Sequence, residues 1–264
     1  MSRFFKWRDL RHGRESGVEL SEQDGVRSLH LGSSMVQSAM RLAAPNDLEL
    51  VYTQCMMGFL LFHPQPENIL MIGLGGGSLA KFVHQRMPQT KTTVIEIDPQ
   101  VAAAARNHFL LPVDDERLQV VIAEGGEHVA SHPASADVLM IDGFDDGCQV
   151  AALCSQDFYN HAREALKKNG VLVINLLSRD KGLDDYLRRI ETSFNHHVVT
   201  MLAETRGNFI VFAFRQNSDS PGKLAWAELK ERAKKLEMEF CLPFPAFVAA
   251  LRKHNLHSDK HLEI

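Results

Sequence analysis

The middle of the chain alternates between short apolar runs and helical patterns. Residues 69–72 form an apolar run, which is typical of a strand buried on both faces of a parallel sheet. Further strand patterns follow at residues 92–97, 118–122, 137–141, 171–175, 196–202 and 208–214. Helical patterns separate several of these strands, at residues 99–106, 157–168 and 183–194. The alternation predicts an α/β fold with a parallel sheet covered by helices on both faces, whose last two strands form an antiparallel hairpin.

The region before this alternation is smaller and differently patterned. Residues 1–16 are basic, and we expect them to be loosely ordered. Residues 18–31 predict a β-hairpin around Asp24-Gly25, which is a strong turn signal. Residues 48–62 have the length and apolar density of a buried helix, which the prolines that follow would end.

The region after the alternation is predicted to be helical. Residues 217–222 are typical of a linker, and apolar residues then recur at helical spacing from Trp226 to Phe240. We expect the last residues to be frayed. The chain is therefore predicted to comprise an N-terminal β-hairpin and helix domain over residues 1–66, a Rossmann-like domain over 67–216 and a C-terminal helical extension over 217–264.

The composition is that of an ordinary soluble protein. The chain has 264 residues, of which 45% are hydrophobic and 23% charged, and its net charge of −4 gives no electrostatic reason to expect nucleic acid or an anionic membrane. No apolar run reaches the roughly 18 residues of a membrane span, and the first residues lack the apolar core of a secretory signal. The four cysteines show neither metal-ligand spacing nor a CxxC pair. We therefore expect a cytoplasmic protein without a metal.

The apolar run at residues 69–72 leads into a glycine-rich turn. Gly73, Gly75 and Gly77 allow the backbone to turn tightly and leave room for a ligand against the main chain. Ser78 is placed to cap the helix that follows, and the free amides at that helix start favour an electron-rich ligand group. The turn alone does not distinguish a nucleotide site from a tight connection between a strand and a helix.

Acidic residues follow the next two strands, at the edge where parallel strands present their carboxyl ends to a ligand. Glu96 lies 19 residues after Gly77, and its carboxylate can accept both hydroxyl hydrogens of a ribose. Glu124, with Gly125 beside it, can accept a hydrogen bond from the amino group of an adenine. The two glutamates together favour an adenosine over a dinucleotide. Asp98 is expected to cap the helix that begins at Pro99.

Three carboxylates follow the fourth strand, at Asp142, Asp145 and Asp146. Like charges this close repel one another unless a cationic group lies among them. An amine substrate, a sulfonium or a metal ion would supply that charge, and the alternative is a solvated acidic loop.

These motifs resemble, in order and spacing, the spermidine synthase (polyamine aminopropyltransferase) family, particularly its bacterial spermidine synthase-like branch. The resemblance runs from about residue 18 to residue 214. It rests on Asp24-Gly25, Gln37-Ser38, Glu49 with Tyr52, the turn from Gly73 to Ser78, Glu96-Ile97-Asp98, Glu124-Gly125, Asp142 with Asp145, and Phe158-Tyr159.

The resemblance implies a small N-terminal β domain and the seven-stranded sheet of S-adenosylmethionine methyltransferases. It also implies transfer of an aminopropyl group from decarboxylated S-adenosylmethionine to a small-molecule amine, with a homodimer as the family habit. The implied donor-binding residues are Gln37, Gly73, Gly75, Gly77, Glu96, Ile97, Glu124, Gly125 and Asp142. The implied catalytic residues are Asp142, which takes the proton of the amine, Asp145, which binds the amine, and Tyr52, which lines the site.

One departure from the family pattern leaves other functions open. Relatives usually carry an aspartate inside the glycine turn, where it contacts the aminopropyl chain of the donor, whereas this chain has Gly76. S-adenosylmethionine is therefore an alternative donor. The sequence leaves room for a methyltransferase, or for a non-catalytic protein that binds an adenosyl ligand.

Overall fold

The N-terminal residues form a four-stranded antiparallel sheet. The structure is a computed structural model that describes residues 3–8, 15–32, 35–145, 148–203, 207–216 and 222–264. The strands are β1 (Arg3–Arg8), β2 (Glu15–Gln23), β3 (Val26–Leu31) and β4 (Ser38–Arg41), paired in that order. The predicted hairpin is confirmed, because β2 and β3 pair around Asp24 and Gly25, both of which have positive φ. The expectation of loose order is wrong for β1, which pairs with β2.

The segment that joins this sheet to the central one is helical in two parts. Helix α1 (Val51–Met56) continues directly into a 3-10 helix over Met57–Leu61. The prediction of one helix over residues 48–62 is therefore wrong in its length and type. The tighter second part brings Gly58 against the ring of Phe212, which lies 3.0 Å from the position a Cβ atom would take.

The central sheet has seven strands. In chain order, its strands and the intervening elements are β5 (Asn68–Ile72), α2 (Ser78–Arg86), β6 (Lys91–Glu96), α3 (Pro99–His108), β7 (Leu118–Ile122), α4 (Gly125–Ser131), β8 (Ala136–Ile141), the two-residue strands β9 (Phe144–Asp145) and β10 (Cys148–Gln149), a 3-10 turn over Ala151–Cys154, α5 (Gln156–Ala165), β11 (Leu166–Leu177), α6 (Leu183–Ser193), β12 (Val198–Leu202) and β13 (Asn208–Phe214). The spatial order is β12-β13-β11-β8-β5-β6-β7. Strands β5, β6, β7, β8 and β11 run parallel, and β13 is antiparallel to both its neighbours. This confirms the predicted α/β fold and the final hairpin.

Two layers of helices cover the sheet. Helices α1, α2 and α3 pack on one face, and α4, α5 and α6 pack on the other. Helix α4 was not predicted, since its seven residues carry little apolar pattern. Helix α5 ends at Ala165 rather than at residue 168, because β11 already begins at Leu166.

The C-terminal region packs on the same face as α1. It contains β14 (Lys223–Ala225), α7 (Trp226–Phe240), α8 (Phe244–His254) and β15 (His261–Glu263). The predicted helix from Trp226 to Phe240 is confirmed, whereas the prediction of a frayed end is wrong. Strand β15 pairs with β14, and Leu262 and Ile264 are buried. Residues 217–221 of the predicted linker lie outside the described residues. None of the helices in the described part of the chain is long and apolar enough to cross a membrane.

Candidate functional site

A cavity opens at the carboxyl ends of β5, β6 and β8, next to the point where the strand order reverses. In a parallel sheet this is the position at which ligands bind. Its lining includes Gln37, Tyr52, Gly73, Gly75, Glu96, Ile97, Glu124, Gly125 and Asp142. The fold therefore brings together nearly all of the residues that the sequence indicated. The exceptions are Gly77, which lies outside the lining, and Asp145, whose side chain lies outside what the structure describes.

The glycine turn between β5 and α2 depends on backbone conformations that favour glycine. Gly73, Gly75 and Gly77 have φ of 93°, 53° and 72°, a region that L side chains rarely adopt. A Cβ atom on Gly73 would lie 2.3 Å from the carbonyl oxygen of Asp142. The turn and the end of β8 are therefore in direct backbone contact, which places Asp142 beside the turn.

The residue that begins α2 has a different role from the one predicted. The cap position is Gly77, and no side chain caps the helix. The Ser78 hydroxyl instead donates to the Ala39 carbonyl oxygen at 3.4 Å and lies 3.3 Å from the Ser38 hydroxyl. The prediction of Ser78 as a cap is therefore wrong, because its side chain joins the turn to β4.

The carboxylate of Glu96 is buried at the end of β6. One oxygen accepts from the amide of Leu74 in the glycine turn, and the other accepts from the amide of Asp98, each at 2.9 Å. Burial raises the pKa of Glu96, while these amide hydrogen bonds act in the opposite direction. The Ile97 amide acts in the same direction, and because a carboxylate has about four acceptor sites, acceptor capacity remains for a ligand. The predicted cap is confirmed, since Asp98 accepts from the Gln100 amide.

Glu124 holds the start of α4. Its side chain accepts from the amide of Glu127 at 2.6 Å, as a helix cap does. A Cβ atom on Gly125 would lie 2.5 Å from Ile72, so glycine lets α4 begin close against β5. Glu124 therefore lies in the lining with one hydrogen bond to its own helix.

Asp142 lies at the end of β8 between two hydrogen-bond donors. The Tyr52 hydroxyl donates to Oδ2 at 3.2 Å, and the Asn175 side chain donates to Oδ1 at 2.8 Å. Burial raises the pKa of Asp142, and the two donors act to lower it. The group is therefore a carboxylate in a low-dielectric position, which favours proton uptake.

Tyr52 projects from α1 towards this carboxylate. Burial raises its pKa well above the usual value, and the neighbouring charge of Asp142 raises it further. Its hydroxyl also lies 3.3 Å from the carbonyl oxygen of Gln37. Tyr52 therefore remains a neutral hydrogen-bond donor at neutral pH.

Two residues of the site were not predicted, Asn175 on β11 and Asn208 on β13. Asn208 donates to the Asn175 side-chain oxygen at 2.9 Å, and Asn175 in turn donates to Asp142. Asn175 is 1% exposed. The signal that could have identified it is its place as one polar residue in the apolar run at residues 171–177.

The charges that line the cavity are of one sign. The lining contains the carboxyl groups of Glu96, Glu124 and Asp142, and the described residues contribute no lysine, arginine or histidine to it. Such a cavity favours a cationic ligand. The described residues contain no group of three or more histidine, cysteine, aspartate or glutamate side chains that could hold a metal ion.

Comparisons with known proteins agree with this geometry. The family model of the spermine/spermidine synthase domain matches residues 49–179. A polyamine aminopropyltransferase of Chromobacterium violaceum is 42% identical over 247 residues, which cover 94% of each chain. This chain belongs to the spermidine synthase family.

Two solved structures relate this family member to others of its fold. A probable spermidine synthase from Corynebacterium glutamicum superposes with a TM-score of 0.68 at 22% identity, covering 92% of this chain and 94% of the other. Human methyltransferase-like protein 13, in complex with SAH, superposes with a TM-score of 0.63 at 28% identity, covering 80% of this chain and 96% of the other. The methyltransferase-like sheet expected for the family is thereby confirmed.

Proposed function

We propose that this protein transfers the aminopropyl group of decarboxylated S-adenosylmethionine to an amine of a diamine or polyamine. The observation that carries the proposal is the cavity whose described charged side chains are all carboxylates, with Asp142 among them. Decarboxylated S-adenosylmethionine has a sulfonium and an ammonium group but no carboxylate, and polyamines are cations. Both substrates therefore carry the positive charge that a cavity lined by carboxylates favours.

The donor side of the cavity is formed by the glycine turn, Glu96 and Glu124. We assign the remaining lone pairs of Glu96 to the ribose hydroxyls, because its carboxylate is already fixed by the amides of Leu74 and Asp98. We assign Glu124 to the adenine amino group. Gly73, Gly75 and Ile97 also line the cavity, and we assign them to holding the donor with its sulfonium carbon aligned for attack.

The acceptor side is formed around Asp142. The amine nitrogen attacks the carbon next to the sulfonium, so a carbon–nitrogen bond forms while the carbon–sulfur bond breaks. Methylthioadenosine leaves as a neutral thioether, and the proton lost from the amine passes to Asp142, the general base. Tyr52 and Asn175 hold that carboxylate at 3.2 Å and 2.8 Å. We assign Asp145 to binding of the substrate amine and Gln37 to the donor.

Methyl transfer from S-adenosylmethionine is the second candidate, because of Gly76. A Cβ atom there would lie 2.8 Å from the ring of Phe109 and 2.8 Å from the Ser38 hydroxyl. The turn as folded therefore has no room for an aspartate. The 28% identity to human methyltransferase-like protein 13 also supports this alternative, whereas the lack of a described cation to pair with the donor carboxylate counts against it.

The test is to incubate the purified protein with each donor and a panel of diamines and polyamines. We expect release of methylthioadenosine from decarboxylated S-adenosylmethionine. Release of S-adenosylhomocysteine instead would establish methyl transfer. Binding of either donor without any product would show a non-catalytic adenosyl-ligand protein and reject the proposal.

A further inference from the structure

A chain of side-chain hydrogen bonds leads from β13, the second strand of the sheet, to Asp142. It begins at Asn208 on β13, passes through Asn175 on β11 and ends at Oδ1 of Asp142, with donor–acceptor distances of 2.9 Å and 2.8 Å. Asn175 is 1% exposed, so its amide has no access to bulk water. The three residues come from three adjacent strands, β13, β11 and β8.

The direction of these bonds is set by the Asp142 carboxylate, which can only accept hydrogen bonds. An asparagine amide has a donor end and an acceptor end of nearly the same shape. The NH₂ end of Asn175 therefore faces Asp142, and its oxygen is left to accept from Asn208. If the amide turned over, its oxygen would face the carboxylate, and the two acceptors would repel each other.

The orientation of the Asn175 amide matters because each oxygen of the Asp142 carboxylate has one described donor. Among the described residues, the titratable group in contact with it is Tyr52 from α1, which donates to the other carboxylate oxygen. β11 and β13 contribute the two amides, and the glycine turn contributes backbone alone. Each oxygen of the carboxylate thus has one donor that fixes its direction.

We propose that Asn175, which is itself held by a hydrogen bond from Asn208, is a positioning residue that holds the Asp142 carboxylate towards the substrate amine. The inference rests on the proposed function for the identity of that amine. The hydrogen-bond relay itself belongs to the protein in the absence of any ligand, so it can be tested separately.

The first test measures the titration of Asp142 in the full-length protein without ligand. Carbon-13 NMR of aspartate-labelled protein, assigned with Asp142→Asn, reports the pKa of this carboxyl group. Asn175→Leu removes a donor to the charged form and should raise the pKa by about one pH unit. Asn208→Leu removes the donor to the Asn175 oxygen, so that amide is held less firmly and the pKa of Asp142 should rise by less. An Asn175→Leu variant in which Asp142 titrates as in the wild type would overturn the proposal.

A control variant separates this effect from a general loss of stability. Asn255 is a half-buried asparagine that hydrogen-bonds the amide and carbonyl of Thr200, away from the cavity. Asn255→Leu should lower the melting temperature without moving the pKa of Asp142. If it moves that pKa as far as Asn175→Leu does, the effect is structural and the proposal is rejected.

The second test measures turnover. Asn175→Leu should lower kcat by about tenfold or more, as expected for loss of a group that orients a catalytic residue, and Asn208→Leu should lower it less. The Kd of decarboxylated S-adenosylmethionine should stay unchanged, because Glu96 lies on another strand. An inactive wild-type protein would reject the proposed function alone, since the NMR titration still decides the relay.

Discussion

The donor side and the Asp142 side of the cavity are built in different ways. On the donor side, Glu96 is held by the amides of Leu74 and Asp98, which are 22 and 2 residues away in the chain. On the other side, Asp142 is held by Tyr52, 90 residues earlier, and Asn175, 33 residues later. Asn208, which donates a hydrogen bond to Asn175, is another 33 residues further on.

This difference indicates which part of the cavity controls ligand affinity and which part controls turnover. The donor side follows from three successive strand-to-helix connections, from β5 to α2, from β6 to α3 and from β7 to α4, so its geometry is retained wherever that local sequence is retained. The Asp142 side exists only when α1, β8, β11 and β13 are all in place. We therefore expect changes on the donor side to alter ligand affinity, and changes on the Asp142 side to alter turnover.

The largest expected effect is that of Asp142→Asn. The amide cannot accept the proton of the amine, so kcat should fall by on the order of 10² to 10⁴-fold while donor affinity stays nearly unchanged. Steady-state kinetics and calorimetric titration with the donor measure the two quantities.

Asp137→Asn is the matched control, on the same strand as Asp142. Asp137 lies at the opposite end of β8, where it accepts from the Asn68 amide and from Lys167. The Asp137→Asn substitution should lower the free energy of unfolding and leave kcat intact. Full activity of Asp142→Asn would remove Asp142 from its role as base.

The sequence predicts the donor side better than the Asp142 side because the donor side follows from local strand-to-helix connections. The glycine turn, Glu96 and Glu124 lie directly after predicted strands, so the rule for ligand position in a parallel sheet places them together. The partnership of Asn175 with Asp142 depends on β11 lying beside β8. No local pattern contains that information. The sequence does show Asn175 as a polar residue in an otherwise apolar strand.

Some parts of the fold were also not predicted, because they depend on tertiary contacts. Residues 57–61 have a helical apolar pattern, yet they form a 3-10 helix in which Gly58 packs against Phe212. The short β15 is stabilised by pairing with β14, a contact between residues nearly 40 positions apart. Apolar periodicity does not reveal either partner.

Glu96→Gln tests the donor side. A neutral amide offers one acceptor oxygen, so it cannot accept from both backbone amides and also serve the ribose as the carboxylate does. Donor affinity should weaken by on the order of 1 to 3 kcal/mol, with kcat little changed, as calorimetry and kinetics would show.

Asp98→Asn is the control for the donor side. Asp98 caps α3 and does not line the cavity, so this substitution should leave donor affinity intact. Equal affinities of the Glu96→Gln variant and the wild type would reject the ribose assignment.

A smaller effect is expected at Gly76, on stability. A Cβ atom there meets Phe109 and Ser38 at 2.8 Å, so Gly76→Ala should lower the free energy of unfolding by about 1 to 2 kcal/mol through overpacking. Urea denaturation measures this.

Gly76→Asp adds a carboxylate to the same Cβ clash, so tighter donor binding by Gly76→Asp than by Gly76→Ala would indicate that an acid in the turn still recognises the aminopropyl chain. An unchanged stability of Gly76→Ala would show that the turn has room for a side chain.

The last prediction concerns Lys81, which attaches the donor side to the rest of the molecule. The buried Lys81 ammonium on α2 donates to the carbonyl oxygens of Pro45 at 2.7 Å and Phe109 at 2.6 Å, which ties the helix after the glycine turn to its neighbours. Burial lowers the pKa of Lys81 from 10.5 to about 8. Between these values the unfolded chain still binds the proton that the folded protein has released, so the Lys81 contribution to the free energy of unfolding becomes more favourable as pH rises. Lys81→Met cannot titrate, and the stability of the wild type relative to this variant should therefore increase from pH 8 to pH 10 in urea denaturation. A difference that stays constant over this range would show that Lys81 keeps its proton in the fold, and that its hydrogen bonds to the two carbonyls outweigh the cost of burying the charge.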